Sequence, residues 1–197
     1  AIIFDLGDVF LNLNHQASID AFKKLGLKEW NDDLKAKTIL FETGKIDELQ
    51  FLEAVQTHIP NANLIEIRDA WNAIIGDFPL ERLEFLEKLQ NKYNIFLLSN
   101  TNPTHIDKFE HRVGLTFARE FYAHFNKIYF SYETKVRKPD EAVFNLILKQ
   151  NNLKPNKTLF VDDTLEHIEV AKGLGINTWQ ILVGQDDVTN LFDKKIM

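Results

Sequence analysis

The 197-residue chain contains no cysteine, which excludes a disulfide scaffold, thiolate metal ligands and a cysteine nucleophile. It therefore places no demand on an oxidising compartment, and a cytoplasmic setting is expected. Glycine and proline are sparse, at 8 and 5 residues, so collagen-like and low-complexity classes are excluded as well. No run of about 18 uncharged apolar residues occurs, and no membrane partner is expected. Basic residues are outnumbered 23 to 29 by acidic ones, for a net charge of −6, which gives no electrostatic reason to bind nucleic acid. What is present is 45% hydrophobic and 26% charged, too apolar for a disordered chain and ordinary for a globular one. The length suits one or two domains with a substantial core. The sequence starts directly in an apolar run, Ala1-Ile2-Ile3-Phe4, which predicts that further residues precede it in the natural chain.

Short apolar runs recur, each ending in small or polar residues: Ile2–Phe4 before Asp5-Leu6-Gly7-Asp8, Ile95–Leu98 before Ser99-Asn100, Lys127–Phe130 before Ser131, Thr158–Val161 before Asp162-Asp163, and Ile176–Leu182. Continuous apolar runs of this length are the pattern of strands buried on both faces of a parallel sheet. Helical periodicity lies between them. Leu80, Leu83, Leu86 and Leu89 follow Pro79; Pro139 opens a segment with Ala142, Val143, Leu146 and Ile147 on one face; Ile168, Ala171 and Leu174 lead to Gly175 as a stop. Strand alternating with helix predicts an α/β fold with a Rossmann-like parallel sheet. Residues 14–78 break the alternation. Ile19, Phe22, Leu25, Ile39, Leu40, Leu49, Phe51, Leu52, Leu64, Ile67, Trp71 and Ile74 keep helical spacing with no strand run. We expect 14–78 to be an inserted all-helical cap domain, with 1–13 and 79–197 forming the α/β core. An insertion after a strand's carboxyl end sits where open α/β sheets bind ligands.

Those strand ends carry Asp5, Ser99, Asp162 and Asp163. Two carboxylates about 4 Å apart repel by roughly 4 kcal/mol at an effective dielectric near 20, so the three acids need relief. Raised pKa values, a basic side chain such as Lys138, or a hard cation such as Mg²⁺ with oxygen ligands would each supply it. The six histidines show no metal-ligand spacing and read as surface or core residues.

Four segments in order, Phe4-Asp5-Leu6-Gly7-Asp8-Val9, Leu98-Ser99-Asn100-Thr101, Arg137-Lys138-Pro139-Asp140 and Phe160-Val161-Asp162-Asp163-Thr164, resemble the motifs of the haloacid dehalogenase-like superfamily. The resemblance covers essentially the whole chain, and the helical insertion sits where that family's small cap sits. The first motif is most similar to phosphatases carrying Asp-Leu-Gly-Asn-Val, a subgroup of sugar-phosphate phosphatases that includes one acting on glucose 1-phosphate. The resemblance implies a small phosphorylated metabolite as substrate, a monomer or homodimer, and the following roles. Asp5 is the nucleophile that forms an aspartyl-phosphate. Mg²⁺ is held by Asp5, Asp162 and the Gly7 carbonyl, with Asp163 as an outer ligand. Ser99 and the Asn100 amide hold phosphoryl oxygens, and Lys138 neutralises the nucleophile and the transferring group. The cap segment Phe41–Asp47, with Gly44 and Lys45, reaches toward the substrate. From the residues alone, Asp163 reads equally as the N-cap of the following helix, and Gly44 as a plain helix-helix turn.

Two departures from the family pattern stand out. Most phosphatases of the family carry a general acid two residues after the nucleophile, where this chain has Gly7; such a group is worth about 10²–10⁴-fold in rate. Asp8 is adjacent but is expected to face away, because side chains alternate along a strand. A readily departing anomeric sugar oxygen needs less protonation, which favours sugar 1-phosphates over alkyl phosphates. His167 stands where relatives often have Asn or Asp, which argues against a polar contact from this position to the metal shell. A 2-haloacid dehalogenase is the chemical rival and would not miss the acid, although it has no use for Asp162-Asp163. A catalytically weak binding protein that keeps the fold is the other alternative.

Overall fold

The computed structural model describes residues 1–194. Five strands, β1 (Ile2–Phe4), β2 (Ile95–Ser99), β3 (Lys127–Phe130), β4 (Leu159–Asp162) and β5 (Asn177–Gln180), form one parallel sheet in the order β3-β2-β1-β4-β5. β1 is central, with Ile2, Ile3 and Phe4 opposite Ile95, Phe96 and Leu97 on one side and Leu159, Phe160 and Val161 on the other. Its residues have no exposed face because helices cover both sides of the sheet. Ile2, Phe4, Ile95, Leu97 and Val161 point into one core with Leu83, Phe109 and Phe121. Ile3, Phe96, Leu98 and Phe160 point into the other with Val143, Phe144 and Ile147.

The helices in chain order are α1 (His15–Lys24), α2 (Asp32–Glu42), α3 (Glu48–Gln56), α4 (Leu64–Asn72), α5 (Leu80–Gln90), α6 (Pro103–Val113), α7 (Leu115–Ala123), α8 (Ser131–Thr134), α9 (Glu141–Gln150) and α10 (Leu165–Gly173). The first four all lie between β1 and β2 in sequence and bury a cluster of their own around Leu34, Phe41, Phe51, Val55 and Ile67. Their starts are written locally. Asp47 and Asn63 each accept the N3 backbone N–H, while Gln50 and Glu66 return a bond to the cap residue's own N–H.

The elements depart from the sequence reading in several places. The helix expected to open at Pro139 begins at Glu141, because the Asp140 carboxylate caps it by accepting the Ala142 N–H at 2.8 Å. The last strand is shorter than Ile176–Leu182, and α6 and α7, which the periodicity had not singled out, fill the β2–β3 crossover.

Arg82 on α5 ties down the loop that follows the first strand. Its side chain is 10% exposed and donates to the Phe10 carbonyl at 3.1 Å, to Asn12 Oδ1 at 2.9 Å and to Asp187 Oδ2 at 3.0 Å. Removing one partner of so buried a set leaves acceptors unpaired. Arg82→Ala is expected to lower the unfolding free energy by about 2–4 kcal/mol. Urea denaturation checks this, and an unchanged midpoint would contradict it.

Candidate active site

The strand order turns at β1: the chain goes out through β2 to β3, then returns to β4 on the opposite side of β1. Such switch points are where open α/β sheets leave a crevice at the carboxyl ends. Asp5 follows β1, Asp162 ends the neighbouring β4, and the Asp5 N–H donates to the Val161 carbonyl at 2.9 Å, which locks the two ends together. Carboxylate oxygens of Asp5, Asp162 and Asp163 lie within 4.8 Å of one another.

Lys138 is inserted among them. Its Nζ lies 2.8 Å from Asp5 Oδ1 and 2.6 Å from Asp162 Oδ2, with no solvent exposure. The Asn100 side chain holds the lysine backbone by accepting the Lys138 N–H at 2.9 Å and donating to its carbonyl at 2.8 Å. Contrary to the sequence expectation, His167 does make a polar contact to a candidate metal ligand: from the first turn of α10 its Nδ1 lies 3.0 and 3.1 Å from the two Asp162 oxygens, and the Thr164 N–H donates to Asp162 Oδ1 at 2.8 Å.

These surroundings divide the carboxylates. Burial pushes Asp5 up to about 7, reinforced by Asp162 and opposed by Lys138. Asp162 is buried too, but the Lys138 charge and the His167 hydrogen bond outweigh that penalty and hold it at about 2. Burial and the neighbouring Asp162 raise Asp163. Lys138 is held above its ordinary value: burial alone would lower it, and the two aspartates overcome that. The donor set is oxygen only and carries more negative charge than Lys138 cancels. Asp5 Oδ1 is buried against Lys138 Nζ. An acidic, oxygen-only donor set of this kind suits a hard divalent cation such as Mg²⁺.

A cavity of about 280 Å³ opens above this cluster and is lined by Asp5, Gly7, Ser99, Asn100 and Asp163 from the core side. Asp163 does not serve as a helix cap; α10 starts from Thr164 without a side-chain cap bond. A Cβ on Gly7 would come within 2.8 Å of Leu13 Cδ1, so a leucine side chain fills the space above this residue. Asp8 corrects the sequence reading. It adopts a left-handed turn (φ 53°), lines the cavity rather than facing away, and spends its carboxylate on the Leu13 N–H at 2.9 Å and His15 Nε2 at 3.5 Å.

The inserted helices contribute Ser18, Glu42 and Trp71 to the cavity wall, and the core contributes His105 and Arg137. Gly44 and Lys45, expected to reach the substrate, are not part of that wall. Gly44 takes a left-handed conformation (φ 59°) at the end of α2 and packs on α8, where a Cβ would collide with the Tyr132 carbonyl and its own carbonyl accepts from Lys135 Nζ at 3.1 Å. Lys45 is exposed. Glu42, the last residue of α2, reaches the cavity instead.

His105 is a second residue that the sequence did not single out. Its ring stacks on Trp71 at 4.7 Å, its Nε2–H donates to the Trp71 carbonyl at 3.2 Å, and its Nδ1 accepts from Asn102 Nδ2 at 3.1 Å. Burial lowers its pKa to about 4, so the ring is neutral and joins α4 to α6 as a fixed tautomer.

The chain belongs to the haloacid dehalogenase-like hydrolase family, whose family model matches residues 1–175. It is 29% identical over 191 residues to D-ribitol-5-phosphate phosphatase of Bacteroides thetaiotaomicron, covering 94% of this chain and 93% of that one. A HAD family enzyme from the same organism, solved as a magnesium complex, superposes with a TM-score of 0.86 at 31% identity, over 97% of this chain and 96% of the other. A HAD-like family hydrolase from Porphyromonas gingivalis superposes with a TM-score of 0.84 at 27% identity, over 98% and 96% of the two chains.

Proposed function

We propose that this protein is a Mg²⁺-dependent phosphatase of small phosphorylated metabolites, with sugar and polyol phosphates as its substrates and an aspartyl-phosphate on Asp5 as intermediate. The observation that carries this reading is the buried Asp5–Lys138–Asp162 cluster, with Asp163 beside it, at the floor of the cavity. Its likeness to D-ribitol-5-phosphate phosphatase supports the substrate class. Helices α1–α4 act as a cap over the core formed by 1–13 and 79–194; the last three residues of the expected core segment, 195–197, lie outside the described residues. A cytoplasmic monomer or homodimer is the expected form, and among the described residues no helix is long and apolar enough to cross a membrane.

Asp5, Asp162 and the Gly7 carbonyl would hold the ion, with Asp163 beside them. When bound, Mg²⁺ neutralises phosphoryl charge and fixes its orientation. Asp5 attacks phosphorus in line, and the ester oxygen leaves as the new O–P bond forms; water then cleaves the aspartyl-phosphate. Lys138 favours the ionised form of the attacking carboxylate against the effect of its burial. The Ser99 hydroxyl and the Asn100 N–H receive phosphoryl oxygens, and such preorganised groups supply most of the catalysis in phosphoryl transfer. Leu13 over Gly7 leaves no proton donor at that place, so esters with good leaving groups, sugar 1-phosphates among them, turn over faster than alkyl phosphates. Halide displacement would use Asp5 as its nucleophile but has no need of Asp162 and Asp163, which count against it.

Inorganic phosphate release from a panel of phosphorylated metabolites, with Mg²⁺ and with excess EDTA, tests the proposal. Release that EDTA abolishes and Mg²⁺ restores is expected. Release indifferent to EDTA, or none from any ester, would overturn it.

A further inference from the structure

Where α2 meets the core, the cavity wall holds an ion pair whose hydrogen bonding is left incomplete. Glu42 is the last residue of α2, and Arg137 immediately precedes Lys138. Arg137 Nη2 lies 3.2 Å from Glu42 Oε2, and the two side chains keep 29% and 15% exposure. The contact is poorly aligned. Glu42 Oε2 and Arg137 Nε are buried with no hydrogen-bond partner among the described residues. Burial raises the Glu42 carboxyl, and Arg137 only partly offsets this. Each such buried orphan costs about 1–3 kcal/mol. Both side chains line the cavity above Asp5.

We infer that Glu42 and Arg137 together recognise a hydroxyl group on the alcohol portion of the substrate, selecting neutral polyhydroxylated phosphate esters. The inference rests on the phosphatase reading and adds to it the specificity-determining pair. Charged and apolar ligand groups fit the pair poorly. A second anionic group would meet the Glu42 carboxylate, and an ammonium would meet the Arg137 guanidinium. An apolar alcohol would leave the remaining hydrogen-bonding capacity of both headgroups unmet. A hydroxyl accepts from a guanidinium and donates to a carboxylate, so it matches both members of the pair at once. Sites that hydrogen-bond a substrate hydroxyl discriminate strongly against analogues lacking it, because the site's own polar groups are then left unpaired. The pair spans the inserted helices and the core, so the same contact makes a correctly hydroxylated substrate favour the apposition of these two parts.

The test compares kcat/KM, with Mg²⁺ present, for ribitol 5-phosphate, n-pentyl phosphate and 3-phosphoglycerate, with p-nitrophenyl phosphate as a general phosphatase substrate. The first two are primary five-carbon esters that differ in their hydroxyls. Wild type is expected to favour ribitol 5-phosphate by about 100-fold over pentyl phosphate, and to favour it over 3-phosphoglycerate. In the Glu42→Leu/Arg137→Met double variant, which leaves neither partner alone, the ribitol-to-pentyl ratio is expected to fall about tenfold or more. A pair that only ties α2 to the core would lower both substrates together and keep the ratio, which would overturn the inference. Wild type using pentyl phosphate as well as ribitol 5-phosphate, or preferring 3-phosphoglycerate, would overturn it without any variant. Failure of the phosphatase reading looks different: no phosphate is released from any of the four, p-nitrophenyl phosphate included.

Discussion

Asp5→Asn is expected to reduce phosphate release by about 10⁴-fold or more, the scale seen when a nucleophile is removed and the rest of the site stays in place. The same substitution is expected to make the metal-free protein more resistant to heat. Burial raises the folded-state pKa of Asp5 to about 7 from an ordinary 3.8. Between those values the folded chain binds the proton and the unfolded chain does not, so the Asp5 contribution to stability falls as pH rises from about 4 to about 7. Asparagine carries no such penalty. Thermal unfolding in EDTA at pH 5 and pH 8 checks this, with the larger gain for Asp5→Asn at pH 8. A variant that is inactive and also less stable than wild type at pH 8 would show that the carboxylate is a structural partner of Lys138 rather than a charge strained into place for chemistry.

Lys138→Met is expected to have the largest effect on stability. It removes the cation that contacts Asp5 and Asp162 and leaves two buried carboxylates facing each other. Breaking a buried pair in this way costs about 3–5 kcal/mol. The loss has a definite pH dependence. Without the lysine both carboxylates hold protons to higher pH in the folded state than in the unfolded state, so the deficit grows as pH rises, first above about 2, where wild-type Asp162 ionises, and again above about 7, where Asp5 does. Mg²⁺ binds only the folded arrangement and narrows the deficit by mass action. Urea titrations at pH 5 and pH 8, with and without Mg²⁺, measure all three effects. Activity falls by about 10³-fold or more, because the charge that offsets the transferring group is gone.

The sequence made the sheet legible because its strands are buried on both faces, so Ile2–Phe4 and Ile95–Leu98 stand out as unbroken apolar runs. The same geometry made Asp5, Ser99 and Asp162 legible, since a polar residue that ends such a run falls at the carboxyl edge. Lys138 was legible from its motif, and its contacts with both aspartates follow from the β4–β1 pairing. What escaped reading depends on contacts between distant segments. His167 reaches Asp162 from the first turn of a helix five residues on, a placement that a spacing search for paired histidines does not detect. Trp71 and His105 come from different parts of the chain and meet only when α4 docks on α6. Gly44 was read as pointing toward substrate, but its left-handed turn directs the backbone onto α8, and the residue that reaches the cavity is Glu42.

The central position of β1 has a consequence for how the molecule is made. Ile2, Ile3 and Phe4 bond on one side to a strand beginning at Ile95 and on the other to one beginning at Leu159. During synthesis the strand beneath the nucleophile therefore emerges well before its second partner exists. Until then the assembly β3-β2-β1 presents an open row of backbone donors and acceptors along its most apolar member, the kind of edge that templates pairing between chains. A ribosome pause or a truncation before Leu159 would thus do more than withhold Asp162 and Asp163. It would leave the catalytic strand as a free sheet edge, so aggregation rather than simple inactivity is the expected fate of the incomplete chain.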